Sequence, residues 1–380
     1  MREVRQRLSK IFWIITVLLV LSYLPDHCYL ENYSQSYQLL DKPNGSTYYR
    51  LSVTAQQSLY EYYAGKSHKL NSNNDFAKFV TPHALKPVAD SLWEIYADDE
   101  DFANAVLMIV HQISYVETLP AKYPVETIIE NEGDCDLFSF IAASIMKAGG
   151  LDVVLLYYEH EAHMNIGVSL SHVPSDARMQ TYYFTHNDVK YYVAECTGEN
   201  WQGGWRVGEC PDSLKVEGAQ IVTLESCEQW APGQVSASYK TLESSTISLS
   251  VSSTSLIQDS VVTLSGQLSP PLQDKVVTIY FKVNDLPWAV LDTAMTDSSG
   301  RFTYVWDAKA AGICHVRASW SGDDSYAGAD SSIVTMMILS TFFVLLLIVT
   351  VVLVCVGAVV FFISRLTHQE APEHQPPRIP

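Results

Sequence analysis

The sequence predicts an α+β body over residues 31–230, an all-β sandwich over 246–331, and an apolar segment near each end of the chain. Three observations carry this. Apolar residues recur at spacings of three and four up to about residue 150, the period of a helix with one buried face. Strand-like runs then replace them, and from 246 onward turns containing Gly, Pro, Asp and Ser recur at intervals of roughly ten residues. Finally, residues 333–363 carry no formal charge.

In the first part, "TAQQSLYEYYAG" and "DSLWEIYADDEDFANAVLMIVHQISYV" hold the helical period, as in Leu92, Ile95 and Tyr96 followed by Phe102, Val106, Ile109 and Val110. Pro82 and Pro87 mark a break between them. "CDLFSFIAASIMKA" places Leu137, Phe138, Ile141, Ala142, Ile145 and Met146 on one face, and Gly149–Gly150 stops the helix. The strand-like runs "LDVVLLYYE", "AHMNIGVSL" and "VKYYVAEC" follow, so a helical lobe leads into an antiparallel sheet. Residues 231–245 are polar without an apolar period and read as a linker. Six runs, from "TISLSVSS" to "CHVRASWSG", fill the sandwich.

The segment 333–363 exceeds the roughly 20 residues that span a bilayer as a helix, and is expected to be a transmembrane helix followed by a cytoplasmic tail, 364–380. At the other end, Arg2, Arg5, Arg7 and Lys10 precede "IFWIITVLLVLSYL". Without a small-residue cleavage site after it, residues 1–30 read as a cytoplasmic basic tail and signal anchor in preference to a removed signal peptide. Basic residues at both ends put both tails inside and the intervening body outside, so the expected location is the cell membrane with both domains extracellular. Asn32-Tyr-Ser and Asn44-Gly-Ser fit glycosylation acceptors on that side.

The net charge is −18 and the pI about 4.9. Nucleic acid is therefore excluded as an expected partner, since phosphate backbones are bound by clustered Lys and Arg. Seven cysteines are thinly spread and none form a C-x-x-C pair, which argues against structural zinc. Cys196, Cys210 and Cys227 lie close enough in sequence for one disulfide among them, with the pair left open. Two spans without ionisable residues speak against a channel or transporter.

"NEGDCDLFSF" carries the chemistry. A cysteine attacks as its thiolate, and the first backbone N–H groups of a helix favour an anion placed beside them. Cys135 stands at such a start, with Asp134 as the expected N-cap and Gly133 permitting a sharp approach. A nucleophilic cysteine also needs a histidine base and an acid to orient it. His163 opens "HMNIGVSL" on the same strand face as Asn165 and Gly167, and Glu195 ends "KYYVAE", where an adjacent antiparallel strand would set it beside His163. His160, in the acidic turn "YYEHEAH", is the weaker base. Gln112 in "VHQISYV" is an oxyanion candidate, with an exposed helix face as the plainer alternative. Trp201 and Trp205 suit packing better than a cleft wall, and Glu159 and Glu161 a solvated turn.

"GDC" at a helix start, "HMNIGV", then "YYVAECTG" and "GWRVGECP" together resemble the transglutaminase-like superfamily, in particular its prokaryotic membrane-anchored branch, over about residues 105–215. The resemblance implies a papain/transglutaminase-like fold with Cys135 as nucleophile, His163 as general base and acid, and Glu195 as orienting acid. It implies acyl transfer on a protein or peptide substrate, with hydrolysis preferred over crosslinking and no cofactor. Asp136-Leu137 stands where relatives often carry Glu-Asp, so no metal site is expected at Asp134 and Asp136. "TDSSGRFTYVW" and "ASWSGDDSYAGADS" resemble prokaryotic immunoglobulin-like surface modules, which implies a spacer or adhesion role. The alternative is a non-catalytic cell-surface binding protein that retains the fold.

Overall fold

The computed structural model describes residues 33–367 apart from 199, 217 and 324. The signal anchor expected over 1–30 and Cys28 lie outside these residues.

The chain begins with a hairpin of β1 (Tyr33–Leu40) and β2 (Tyr48–Ala55), paired antiparallel from Tyr33–Ala55 to Leu40–Tyr48. Tyr37, Leu39, Leu51, Val53 and Ala55 are buried, the period of a strand with one face on the core. Asn44 holds the intervening turn in the left-handed region at φ 59°, which Asn tolerates better than most residues. Helix α1 (Gln57–Ala64), a 3₁₀ turn over Asn73–Phe79, α2 (Pro82–Trp93) and α3 (Asp99–Val110) follow. The α3 N-terminus is capped by the Asp98 side chain, which accepts from the N–H groups of Glu100 and Asp101.

Strand β3 (Ser114–Tyr115) pairs in parallel with β4 (Glu132–Gly133), with α4 (Pro124–Glu130) between them. Helix α5 (Cys135–Ala148) comes next. Strands β5 (Asp152–Tyr158), β6 (His163–Ser169), β7 (Tyr183–His186), β8 (Val189–Ala194) and, after α6 (Asp212–Lys215), β9 (Gln220–Thr223) form an antiparallel sheet in the order β7-β8-β6-β5-β9. Both faces of this sheet are covered. Val153, Leu155, Met164, Ile166 and Val168 join the main core with Phe140, Ile141 and Ile145 of α5. Val154, Leu156, Tyr158, Tyr191 and Val193 form a second cluster with Cys210 and Leu214. This is why β5 reads as a continuous apolar run.

The C-terminal β part consists of two sheets on one core. Strands over 246–251, 261–269 and 301–307 form one sheet; strands over 255–257, 276–283, 289–295, 312–322, 327–330 and 334–339 form the other. Val262, Leu264, Phe302 and Trp306 of the first meet Ile279, Val316 and Ile338 of the second. The sandwich docks on α1 through polar contacts. Asp330 accepts from the Ser58 backbone N–H at 2.8 Å and its hydroxyl at 2.6 Å, and Arg317 donates to Glu61 at 2.6 Å. The Arg317 guanidinium also lies 4.6 Å above the Trp288 ring.

The expected fold class needs correction. The chain is a mixed α and β structure rich in antiparallel strands, and its first part is not a helical lobe, because β1 and β2 precede the helices. The 231–245 stretch is no free linker. Ser236–Ser238 forms β10, which extends the hairpin sheet by pairing with β2. Pro82 starts α2 and so falls at a helix boundary as expected, while Pro87 lies inside the helix and marks no break.

The transmembrane helix expected over 333–363 is also overturned. Val334–Leu339 is a strand of the sandwich, and helix α7 (Thr341–Thr367) starts only after it. Among the described residues, no helix is long and apolar enough to cross a membrane.

Candidate active site

The site forms where the start of α5 meets the starting end of β6 and the end of β8. Gly133 makes the junction possible: a Cβ there would stand 3.0 Å from the Thr127 side chain and 3.1 Å from Leu137. The backbone turns into the helix at Asp134, yet its carboxylate does not cap α5 as expected. It accepts instead from the Thr118 N–H at 2.8 Å, tying down the loop after β3. Asp136 takes the nearest helix N–H, that of Leu137, at 3.0 Å.

Cys135 is half-buried, with its sulfur 3.9 Å from the Ala162 carbonyl. Ala162 sits at φ 45°, a left-handed conformation that costs a residue with a Cβ about 1 kcal/mol or more, immediately before His163. The register that pairs Ile166 with Ala194 continues to set Asn165 beside Glu195. His163 Nε2 lies 3.0 Å from Glu195 Oε2. Asn165 donates to the same oxygen at 3.0 Å, while the Thr197 backbone N–H and hydroxyl donate to Oε1 at 2.9 and 2.6 Å. The structure therefore brings Cys135, His163 and Glu195 together, and adds Asn165 and Thr197, which the sequence reading left out.

The charges follow from this packing. Burial alone would lower His163, but hydrogen bonding to Cys135 and Glu195 and the charge of Glu195 outweigh it and push the imidazole up to about 10. Burial would likewise raise Glu195. Its hydrogen bonds from His163, Thr197 and Asn165, with the imidazolium charge, hold it below the ordinary carboxylate value. Glu195 is only 1% exposed, so this bond set is what keeps a charge there. Thr197→Val removes the shortest of these bonds. It is expected to cost about 1–2 kcal/mol of stability, read as a lower urea midpoint, because a buried charged acceptor loses its partner.

Asp136 behaves differently. Burial, then its hydrogen bond and repulsion with Asp134, push its carboxyl up to about 8 from an ordinary 3.8. Between those values the folded chain holds a proton that the unfolded chain has released, so stability falls as pH rises through this window and levels off above about 8. Asp136→Asn is expected to flatten that slope in denaturation titrations from pH 4 to 8. His163, raised above 6.5, contributes stability that is lost at higher pH, as pH rises through about 10.

A cleft of about 670 Å³ opens next to this set, between β3, the first turn of α5 and the segment after β8. His111, Tyr115, Phe138, Thr197, Gly198 and Trp201 are among the residues that line it. His111, also missed in the sequence, is buried; its Nε2–H donates to the Glu195 carbonyl at 3.0 Å, and burial lowers its pKa. Gly204 passes so close that a Cβ would lie 2.5 Å from His111 Nδ1. The loop holding Gly204 is fixed by Arg178, which makes a two-point contact with buried Glu209 and donates to the Gly203 and Gly204 carbonyls.

Other expectations change. Gln112 borders the cleft, but its amide nitrogen donates to the Gln38 carbonyl at 2.9 Å and the Met108 carbonyl at 2.7 Å. One bond holds β1 and the other closes back onto α3, so both amide hydrogens are used and Gln112 is withdrawn as an oxyanion donor. Cys196, Cys210 and Cys227 are buried free thiols with no disulfide among them, and burial pushes all three upward. Trp201 lines the cleft rather than only packing, while Trp205 borders a void of about 10 Å³ that shares His111 and Trp201 with it. His160, Glu159 and Glu161 are exposed.

No protein-family model and no curated protein matches the sequence. Among solved structures, a chain described under "Structural basis of T cell specificity and activation by the bacterial superantigen toxic shock syndrome toxin-1" is similar over 24% of this chain and 99% of its own. The identity is 9% and the TM-score 0.20, too low to define a shared fold.

Proposed function

We propose that the protein is a cysteine acyl-transfer enzyme of transglutaminase-like type that hydrolyses peptide or amide bonds through Cys135, His163 and Glu195. The observation that supports this best is His163 held between the Cys135 side chain and a buried, four-times hydrogen-bonded Glu195. A structural histidine does not require a buried carboxylate on one side and a half-exposed thiol on the other.

In this mechanism the Cys135 thiolate attacks the amide carbon, and the carbonyl electron pair moves onto oxygen. Backbone N–H groups at the start of α5, that of Cys135 included, stabilise the resulting oxyanion. The C–N bond breaks as the His163 imidazolium gives its proton to the leaving amine, and a thioester remains on Cys135. His163, now neutral, takes a proton from water, whose oxygen attacks the thioester; the acid leaves and the thiolate–imidazolium pair returns. Glu195 keeps the ring oriented and compensates its charge throughout. No step needs a metal or cofactor.

The test is incubation of the purified protein with a mixed peptide library, with mass spectrometry reading new termini. Cleavage by the wild type and none by Cys135→Ala is expected. Equal cleavage by both proteins would overturn the proposal, and absence of cleavage together with an unreactive Cys135 would leave a binding protein.

A further inference from the structure

The walls of the cleft beside Cys135 are aromatic, and its rim is anionic. Tyr115 is 56% exposed, and its ring stands edge-on to Phe138 at 6.2 Å. With Trp201 these rings offer the negative π faces that attract cations. Burial comes first among the causes that raise the Tyr115 phenol, and the charges of Cys135, Asp134, Glu117 and Asp136 follow. Glu117 is exposed, and Asp134 accepts from the Thr118 N–H at 2.8 Å, so both carboxyls lie beside the Tyr115–Thr118 segment that walls the cleft. Among the described residues no Lys or Arg lines the cleft, and burial lowers the pKa of His111 in its wall. His163, the nearby cation, is already compensated by Glu195. Lys122, the basic residue nearest in sequence to Glu117, is paired with Glu130.

We propose that this cleft receives a cationic side chain, lysine or arginine, next to the amide that Cys135 attacks, so that the enzyme prefers peptides with a basic residue flanking the scissile bond. The inference rests on the acyl-transfer reading of Cys135. It also accounts for the aromatic walls, which a cleft built for an acidic or purely aliphatic side chain does not require.

The experiment measures modification of Cys135 by three methanethiosulfonate reagents of similar size, one carrying a trimethylammonium group, one neutral and one carrying a sulfonate. Rates are read by peptide-level mass spectrometry and divided by those for a small free thiol. The cationic reagent is expected to react at least about 10-fold faster than the anionic one at low salt. That ratio should shrink several-fold in 0.5 M salt, where the Debye length is about 4 Å and ~10 Å spans roughly two of them, and in Glu117→Gln. Equal rates, or a faster anion, would overturn this inference alone. Failure of even the neutral reagent to reach Cys135 in the folded protein would overturn the acyl-transfer reading and this inference with it.

Discussion

Cys135→Ala is expected to lower kcat/KM for amide hydrolysis by at least about a thousandfold while leaving the fold intact. The two halves of that expectation have separate origins. The sulfur is half-buried, 3.9 Å from the Ala162 carbonyl and hydrogen-bonded to His163, which keeps Glu195 as its partner, so its loss opens little packed volume and leaves no buried charge unpaired. Chemically, nothing else in the site can form the covalent intermediate: Ser139, one turn along α5, donates its hydroxyl to the Cys135 carbonyl at 2.7 Å and is fully buried. His163→Ala makes an instructive contrast. It should remove activity to a similar degree and also destabilise the protein, because Glu195 would be left charged and buried without its counterion. Urea denaturation alongside peptide assays separates the two variants.

Asp330→Ala should cause the largest loss of stability, about 3–5 kcal/mol. Asp330 accepts two hydrogen bonds from Ser58 and lies 3.9 Å from the Nε of Arg317, whose side chain is fully buried. Without the carboxylate, the Ser58 N–H loses its acceptor inside the interface between α1 and the sandwich, and Arg317 keeps a single anionic partner, Glu61. Asp330→Asn retains the shape and can still accept from Ser58, so it should recover part of the loss. The check is the urea midpoint of both variants. An Asp330→Ala midpoint within experimental error of wild type would show that this polar interface contributes nothing.

The parts of the fold legible in the sequence are those whose pattern is local. Helix α5 announces itself through its apolar face and the glycine pair after it. The strands around His163 and Glu195 are equally plain, since their runs are bounded by turn residues. The β1–β2 hairpin was missed, although Tyr37, Leu39, Leu51 and Val53 alternate with polar residues, because the helical period of the segments after it was extended back over it. The strand over Val334–Leu339 was hidden for another reason: it runs directly into an apolar helix, and composition does not mark where a buried strand ends.

In the site, the residue types and their order pointed to Cys135, His163 and Glu195. The support around them was not visible. Asn165 and Thr197 matter through hydrogen bonds set by strand register, and His111 through a loop folded back over it from residue 204. Gln112 was misjudged because a helix-terminal glutamine looks free in sequence, whereas here it is the tether of β1.

The most direct measurement is to mix the folded protein with p-nitrophenyl acetate and identify the acetylated residue at early times by peptide mapping. The account predicts one acetyl group on Cys135, transient in the wild type and strongly reduced in His163→Ala. Acetylation that spares Cys135, or that proceeds there equally well without the imidazole, would contradict it.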